Sequence, residues 1–257
     1  TGLTQHQAIR NYLPYVEERL IAGDRLNPLM RPLLGVFQGV PGARRFRRIL
    51  SEGAHIPGAG VELLEKALEG MAPGQKWLRG LYTGGTLCYE TLLVLSRELG
   101  DIYSNIPLRS ELRLEDKDKS YRHTALDLGS DEYTQGRPHP MIEPSIRAER
   151  ILAEAADQEL AVLLLDVVLG YGAHRQPVAA MAAQIKKARQ AAAERGGKLV
   201  IAASVTGTDQ DPQNRRAQVE QLEELGVYVL PSNYRAARFG AALIKQKGAL
   251  SNESKDS

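Results

Sequence analysis

Residues Ala161–Leu169 read AVLLLDVVL, apolar at odd and even positions alike, with one acid inside the run. A strand that faces water on one side alternates apolar and polar residues. A strand apolar on both faces belongs to a parallel sheet with helices on either side. The flanking sequence supplies those helices. Leu78–Tyr82 reads as a short strand ending at Thr83-Gly84-Gly85, followed by a helix over Leu87–Leu99 that Gly100 closes. Pro177–Arg195 is an Ala-rich helix with Gly196 and Gly197 after its end, and Lys198–Thr206 is a second apolar strand. A helix over Asn214–Leu225, a short strand Val227–Leu230 and a closing helix Tyr234–Lys245 complete the pattern. Repeated βα units predict right-handed crossovers in a parallel sheet. Charge-rich Arg109–Arg122 reads as a solvated loop or an edge hairpin.

Thr4–Met71 follows a different rule. Ile9, Leu13, Val16 and Leu20 recur at helical spacing, and further helices are expected over Leu26–Phe37, Ala43–Leu50 and Val61–Met71. Gly39, Pro41, Gly42, Pro57, Gly58 and Gly60 separate them, and no β-branched run of strand length occurs here. The period changes at Ala72–Lys76. We therefore expect a small all-α domain over residues 1–74, an α/β domain over 75–247 and a disordered polar tail over 248–257. The 257 residues suffice for two such cores, and a net charge of +2 selects no partner by itself. The single cysteine, Cys88, excludes an internal disulfide framework and fits a reducing compartment. No apolar run approaches the roughly 20 residues that span a bilayer, and the N-terminal segment lacks a signal-peptide layout. No membrane association and a cytoplasmic location are expected.

Loops after the strands of a parallel sheet form its ligand-binding edge. Three of them stand out. In Thr83-Gly84-Gly85-Thr86 the glycines let the backbone approach a ligand, the following helix offers free N–H groups to an anion, and the threonines add hydroxyls. In Gly136-Arg137-Pro138-His139-Pro140 two prolines fix the imidazole, and Arg137 can pair with a carboxylate or phosphate. Asp127, Asp131 and Glu132 lie upstream, placed to receive a cation or to orient His139. Asp166, inside the buried strand, needs a partner or a position at the strand's carboxyl end. Thr206-Gly207-Thr208-Asp209 ends the next strand in the same style.

The motifs GLYTGGTL, DLGSDEYTQGRPHPMIEP, VLLLDVVLGYGA and VTGTDQDPQ, in this order from about Gly80 to Lys245, resemble the C-terminal ligase-like domain of the FdrA family, relatives of the succinyl-CoA synthetase α-subunit. The resemblance implies a flavodoxin-like sheet and an acyl-CoA synthetase or oxamate carbamoyl-transfer subunit that acts with partner subunits, the oxamate reaction belonging to allantoin breakdown. In the synthetase relatives a Ser-Gly-Thr turn near the phosphoryl-transfer site matches Thr83–Leu87. Their phosphorylated histidine lies in a Gly-His-Ala-Gly loop; here that loop reads TGTDQDPQNRR and has no histidine. Asp166 and Val167 stand where those relatives carry a Gly-Glu pair. The family's N-terminal CoA-binding domain has no counterpart in these residues, so no cofactor is expected on this chain alone, and CoA or a nucleotide would come with partner domains. His139 and Asp166 are the catalytic candidates; Thr83, Gly84, Gly85, Thr86 and Arg137 are the substrate- or anion-binding candidates; no metal site is expected.

Arg44, Arg45, Arg47 and Arg48 crowd the start of a helix, where cations oppose the helix dipole. An anionic partner such as RNA phosphate, a solvated face, or pairing with Glu17, Glu18 and Glu52 would each account for them. RPLLGVFQGVPGARRFRRILSEGAHIPGAGVELLEKAL, within about Thr4–Met71, resembles the C-terminal helical domain of the A-type tRNA-dihydrouridine synthases. That implies tRNA contact through these arginines. The FMN-binding barrel of that family has no match, and Cys88 does not correspond to its catalytic cysteine. The leading expectation is the FdrA-like subunit; the alternatives are a tRNA-binding accessory protein and an inactive fusion of the two pieces.

Overall fold

A computed structural model describes residues 5–38, 43–69 and 75–253. The expected breaks at Gly39, Pro41 and Gly42, most of the Ala72–Lys76 boundary and residues 254–257 of the expected tail lie outside the described residues. The chain divides into two compact units, residues 1–75 with 192–198, and residues 76–191 with 199–257.

In the helical unit, α1 (Gln5–Ile21), α2 (Leu26–Met30), α3 (Ala43–Gly53) and α4 (Glu62–Glu69) surround their own core. Leu26–Phe37 is a short helix followed by a 3₁₀ turn over Arg31–Leu33, since Pro32 removes one backbone donor. Phe46 and Leu50 of α3 are fully buried, and Phe46 meets Phe37 edge-on with ring centres 4.9 Å apart.

The second unit runs β1 (Trp77–Tyr82), α5 (Gly85–Leu99), β2 (Thr124–Asp127), α6 (Asp131–Thr134), α7 (Ser145–Ala155), β3 (Leu160–Val168), α8 (Ala179–Glu194), β4 (Val200–Thr206), α9 (Arg215–Glu224), β5 (Tyr228–Leu230) and α10 (Asn233–Glu253). The five strands are all parallel in the order β2-β1-β3-β4-β5. This is the flavodoxin-like arrangement expected. It places a change of winding direction between β1 and β3. Arg109–Arg122 is a loop carrying a 3₁₀ turn over Ser110–Leu112, with a single bridge from Ser104 to Arg113.

Strand alternation sorts the side chains. Leu78, Tyr82, Val162, Leu164 and Ala202 join Leu92 and Leu95 of α5 and Ala237 and Ala241 of α10 in one core. Gly240 lets α10 come close: a Cβ there would lie 2.8 Å from Leu78. Arg79 faces the other side and meets Glu154 of α7 at 3.1 Å and Asp157, just beyond that helix, at 3.0 Å. Glu154 also takes Arg150 at 2.6 Å, so α7 is pinned by buried charge as well as by Ile151 and Ala155. Among the described residues no helix is long and apolar enough to cross a membrane.

His123, just before β2, accepts the Leu78 N–H through Nδ1 at 3.1 Å and meets the Trp77 ring edge-on. Burial, and then the nearby Arg79, push its pKa down to about 4. The unfolded chain then binds the extra proton first. Stability is whole above about pH 6.5 and is lost as pH falls toward 4. Urea midpoints should report a loss of about 1–2 kcal/mol between pH 7 and pH 5 for the native chain, and a flatter profile for His123→Gln. Identical profiles would contradict this.

Candidate functional site

The carboxyl edge of the sheet gathers four loops. The first begins at Thr83, whose place is fixed by Asp166. The Asp166 carboxylate is fully buried near the end of β3. It accepts the Thr83 N–H at 3.0 and 3.2 Å and the Thr83 hydroxyl at 2.6 Å. Arg147 of α7, also buried, donates Nη1 to Asp166 Oδ1 at 2.7 Å and to the Asp166 carbonyl, while its Nε reaches Met181 Sδ at 3.1 Å. Asp166 therefore holds the turn rather than facing solvent.

Beyond Thr83 the chain enters α5 through Gly84, an extended N-cap without a side-chain cap bond. The first-turn N–H groups of Gly85, Thr86 and Leu87 have no intrahelical acceptor. Gly84 and Gly85 are half-buried and Thr86 is exposed. These amides carry the positive end of a 15-residue helix.

The second loop follows β2. Asn105 accepts the Asp127 N–H and donates to the Asp127 carbonyl, both at 3.0 Å, which sets the strand end. Asp127 Oδ1 takes the Gly129 N–H at 2.9 Å. Its Oδ2 lies toward α5: a Cβ on Gly85 would be 3.2 Å from it. Burial raises the proton affinity of Asp127; the Gly129 N–H and His139 oppose this, and the charge of Asp166 adds to it.

The 128–141 segment brings His139 to the same place. A Cβ on Gly129 would collide at 2.4 Å with both His139 Nε2 and the Thr83 carbonyl, so glycine is required for this approach. His139 Nδ1 accepts the Met141 N–H at 3.3 Å, which leaves the proton of the neutral ring on Nε2. The third and fourth loops close around this edge. His174 N–H donates to the Met141 carbonyl at 2.8 Å, and Gln213 joins Gly170 to the β4–α9 loop through bonds of 2.8 and 3.2 Å. Thr208 and Asp211 bond to each other within that last loop.

Thr83, Gly84, Gly85, Thr86, His139 and Asp166 thus share one edge. Arg137 is not brought into this group. It is exposed and pairs with Glu149 of α7 at 3.3 Å, over a cavity of about 460 Å³ that Lys117 and Tyr133 also line. Asp131 is exposed and Glu132 meets Arg113, and no cluster of three or more potential metal ligands occurs among the described residues. Cys88 is buried, and burial pushes its thiol well up, away from the reactive thiolate. Two residues of the site carry no sequence signal of their own. Gly129 is one glycine among many, and Arg147 is one arginine in a charge-rich stretch with no apolar period to place it.

On α3, Arg44, Arg45 and Arg48 are exposed and Arg47 is half-buried. Among the described residues none of the four makes an ion pair, so the pairing with Glu17, Glu18 or Glu52 is not observed.

Comparison with known proteins places this architecture. The uncharacterized protein YahF of Escherichia coli (strain K12) is 45% identical over 163 residues, which cover 63% of this chain and 32% of that protein. The tRNA-dihydrouridine(20/20a) synthases of Xanthomonas axonopodis pv. citri and Yersinia pestis are 57% and 51% identical over 61 and 67 residues, 24% and 26% of this chain. The chain thus spans about a third of YahF and under a fifth of those two synthases. Both resemblances read from the sequence are borne out. The CoA-ligase family model matches residues 81–243, more than half of the chain, which therefore belongs to the CoA-ligase family.

Proposed function

We propose that the α/β unit is the transfer module of a CoA-ligase-type enzyme and that its edge receives an amide-bearing acid, oxamate or a carbamoyl group, in preference to a bare phosphate. One observation carries this reading: the Asp127 carboxylate stands beside the uncapped amides of α5. A phosphate on those amides would meet Asp127 at close range, and like charges repel. A primary amide suits the pair better. Its carbonyl accepts from the Gly85 and Thr86 N–H groups while its NH₂ donates to Asp127 Oδ2. His139, with Nε2–H beside Thr83, is placed to give a proton to the oxygen or nitrogen that gains charge during transfer. The loop over 206–215 holds no histidine to carry a phosphoryl group. CoA or a nucleotide would be supplied by partner domains, and FdrA-type partner subunits would complete the enzyme. Asp127→Asn keeps the shape and removes the charge. Calorimetric titration should then show oxamate affinity falling about tenfold, the loss of one charge-assisted hydrogen bond, while inorganic phosphate gains affinity. Unchanged oxamate affinity, or native protein preferring phosphate, would refute the reading.

The helical unit supports a second role. Arg44, Arg45 and Arg48 form an exposed basic face on α3, and the proteins similar to this chain over 61 and 67 residues are tRNA-dihydrouridine(20/20a) synthases. We propose that this face contacts tRNA phosphates. Arg44→Glu with Arg48→Glu should weaken the tRNA gel shift at least about tenfold and lessen its dependence on salt. Binding equal to that of the native chain would remove this role.

A further inference from the structure

We infer that Arg147 is the positioning residue of the site, acting on the Thr83–Thr86 turn through Asp166 and never on the ligand itself. The inference rests on the reading of that turn as the ligand site. Its geometry stands apart from the ligand's identity.

Arg147 lies on the inward face of α7, which also carries Arg150 and Glu154. The latter two are occupied by Arg79, Ser120 and the Lys117 carbonyl. Arg147 alone of this row reaches the carboxyl edge. Its guanidinium is fixed at two points, Nε on Met181 of α8 and Nη1 on Asp166, so two helices on one side of the sheet set its position. Asp166 passes that position on. One carboxylate receives the Thr83 amide, the Thr83 hydroxyl and the guanidinium. Without the cation, the buried Asp166 carboxylate would keep an unpaired charge, which favours its turning away toward water. That turning away withdraws the acceptor from Thr83. The Thr83 carbonyl and His139 Nε2 both crowd Gly129, so a shift of Thr83 would disturb the seat of the imidazole. Arg147 thus sets the spacing between the α5 amides and His139 from outside the site.

Hydrogen exchange measured residue by residue on the full chain tests this. In Arg147→Met the Thr83 amide should exchange about tenfold faster relative to the core amide of Leu164, as expected for loss of a charge-assisted bond. Oxamate affinity should fall by a similar factor. Arg147→Lys, which keeps the charge but cannot hold both Met181 and Asp166, should recover most of both. It stays informative should the methionine variant fail to fold: Thr83 would still exchange faster, relative to Leu164, than in the native chain. Arg79→Lys weakens the buried pair between Arg79 of β1 and Glu154 of the same helix, and should leave the ratio of Thr83 to Leu164 exchange as it is in the native chain. The inference is overturned if Thr83 exchange changes only in step with Leu164, or if Arg79→Lys produces the same selective change. If the native chain binds no oxamate, the ligand reading alone fails, and the Thr83 exchange still decides the role of Arg147.

Discussion

A carboxylate inside a covered parallel strand is the constraint from which the rest of the site follows. Asp166 sits in a strand whose other residues are all apolar and, apart from half-buried Val168, all buried. An unpaired charge there would cost several kcal/mol, enough to unfold a marginally stable domain. The fold meets this need with donors from two directions. The amide and hydroxyl of Thr83 arrive from the end of β1, and the guanidinium of Arg147 arrives from α7. Satisfying one buried charge therefore fixes the relative place of a strand end, a helix and the turn that opens α5. The turn lies where β1 and β3 part in winding direction, the crevice that open α/β sheets use for ligands.

The same logic explains why the neighbouring loops are rigid without being apolar. Asn105 clamps the end of β2, and Gln213 ties the β3–α8 and β4–α9 loops together with its single side-chain amide. Asn105 and Gln213 are both occupied chiefly by backbone groups. Among the described residues, the first turn of α5, Asp127 Oδ2 and His139 Nε2 stay uncommitted at the edge: donors, an acceptor and a proton carrier. That set is complementary to a group with both a carbonyl and an N–H, which is why the amide reading is preferred over a purely anionic one.

Much of the sheet is legible in the sequence because parallel strands announce themselves by being apolar on both faces. Ala161–Leu169 and Lys198–Thr206 fall on β3 and β4, and the glycine-closed helices fall on α5, α8 and α9. β2 is only four residues, TALD, too short for a period to show. α7 was obscured for a different reason. Arg147, Arg150 and Glu154 occupy its buried face, so its charges lie where a periodicity reading places apolar residues. The turn over Thr83–Thr86 and His139 could be picked out from glycine and proline chemistry, yet sequence distance misleads within turns. Arg137, two residues from His139, faces Glu149, whereas Arg147 reaches the edge from another element. Which arginine serves the site depends on helix packing, and packing is not written in local sequence.

The central claim is that one buried carboxylate holds the ligand turn against His139. A crystal structure of Asp166→Asn tests it most directly, because the amide offers one acceptor oxygen where the carboxylate offers two, and turns an N–H group toward a donor. The sheet should stay intact, with either the Thr83–Thr86 turn or Arg147 displaced and His139 no longer seated at Gly129. A turn, guanidinium and imidazole all left in their native places would contradict it.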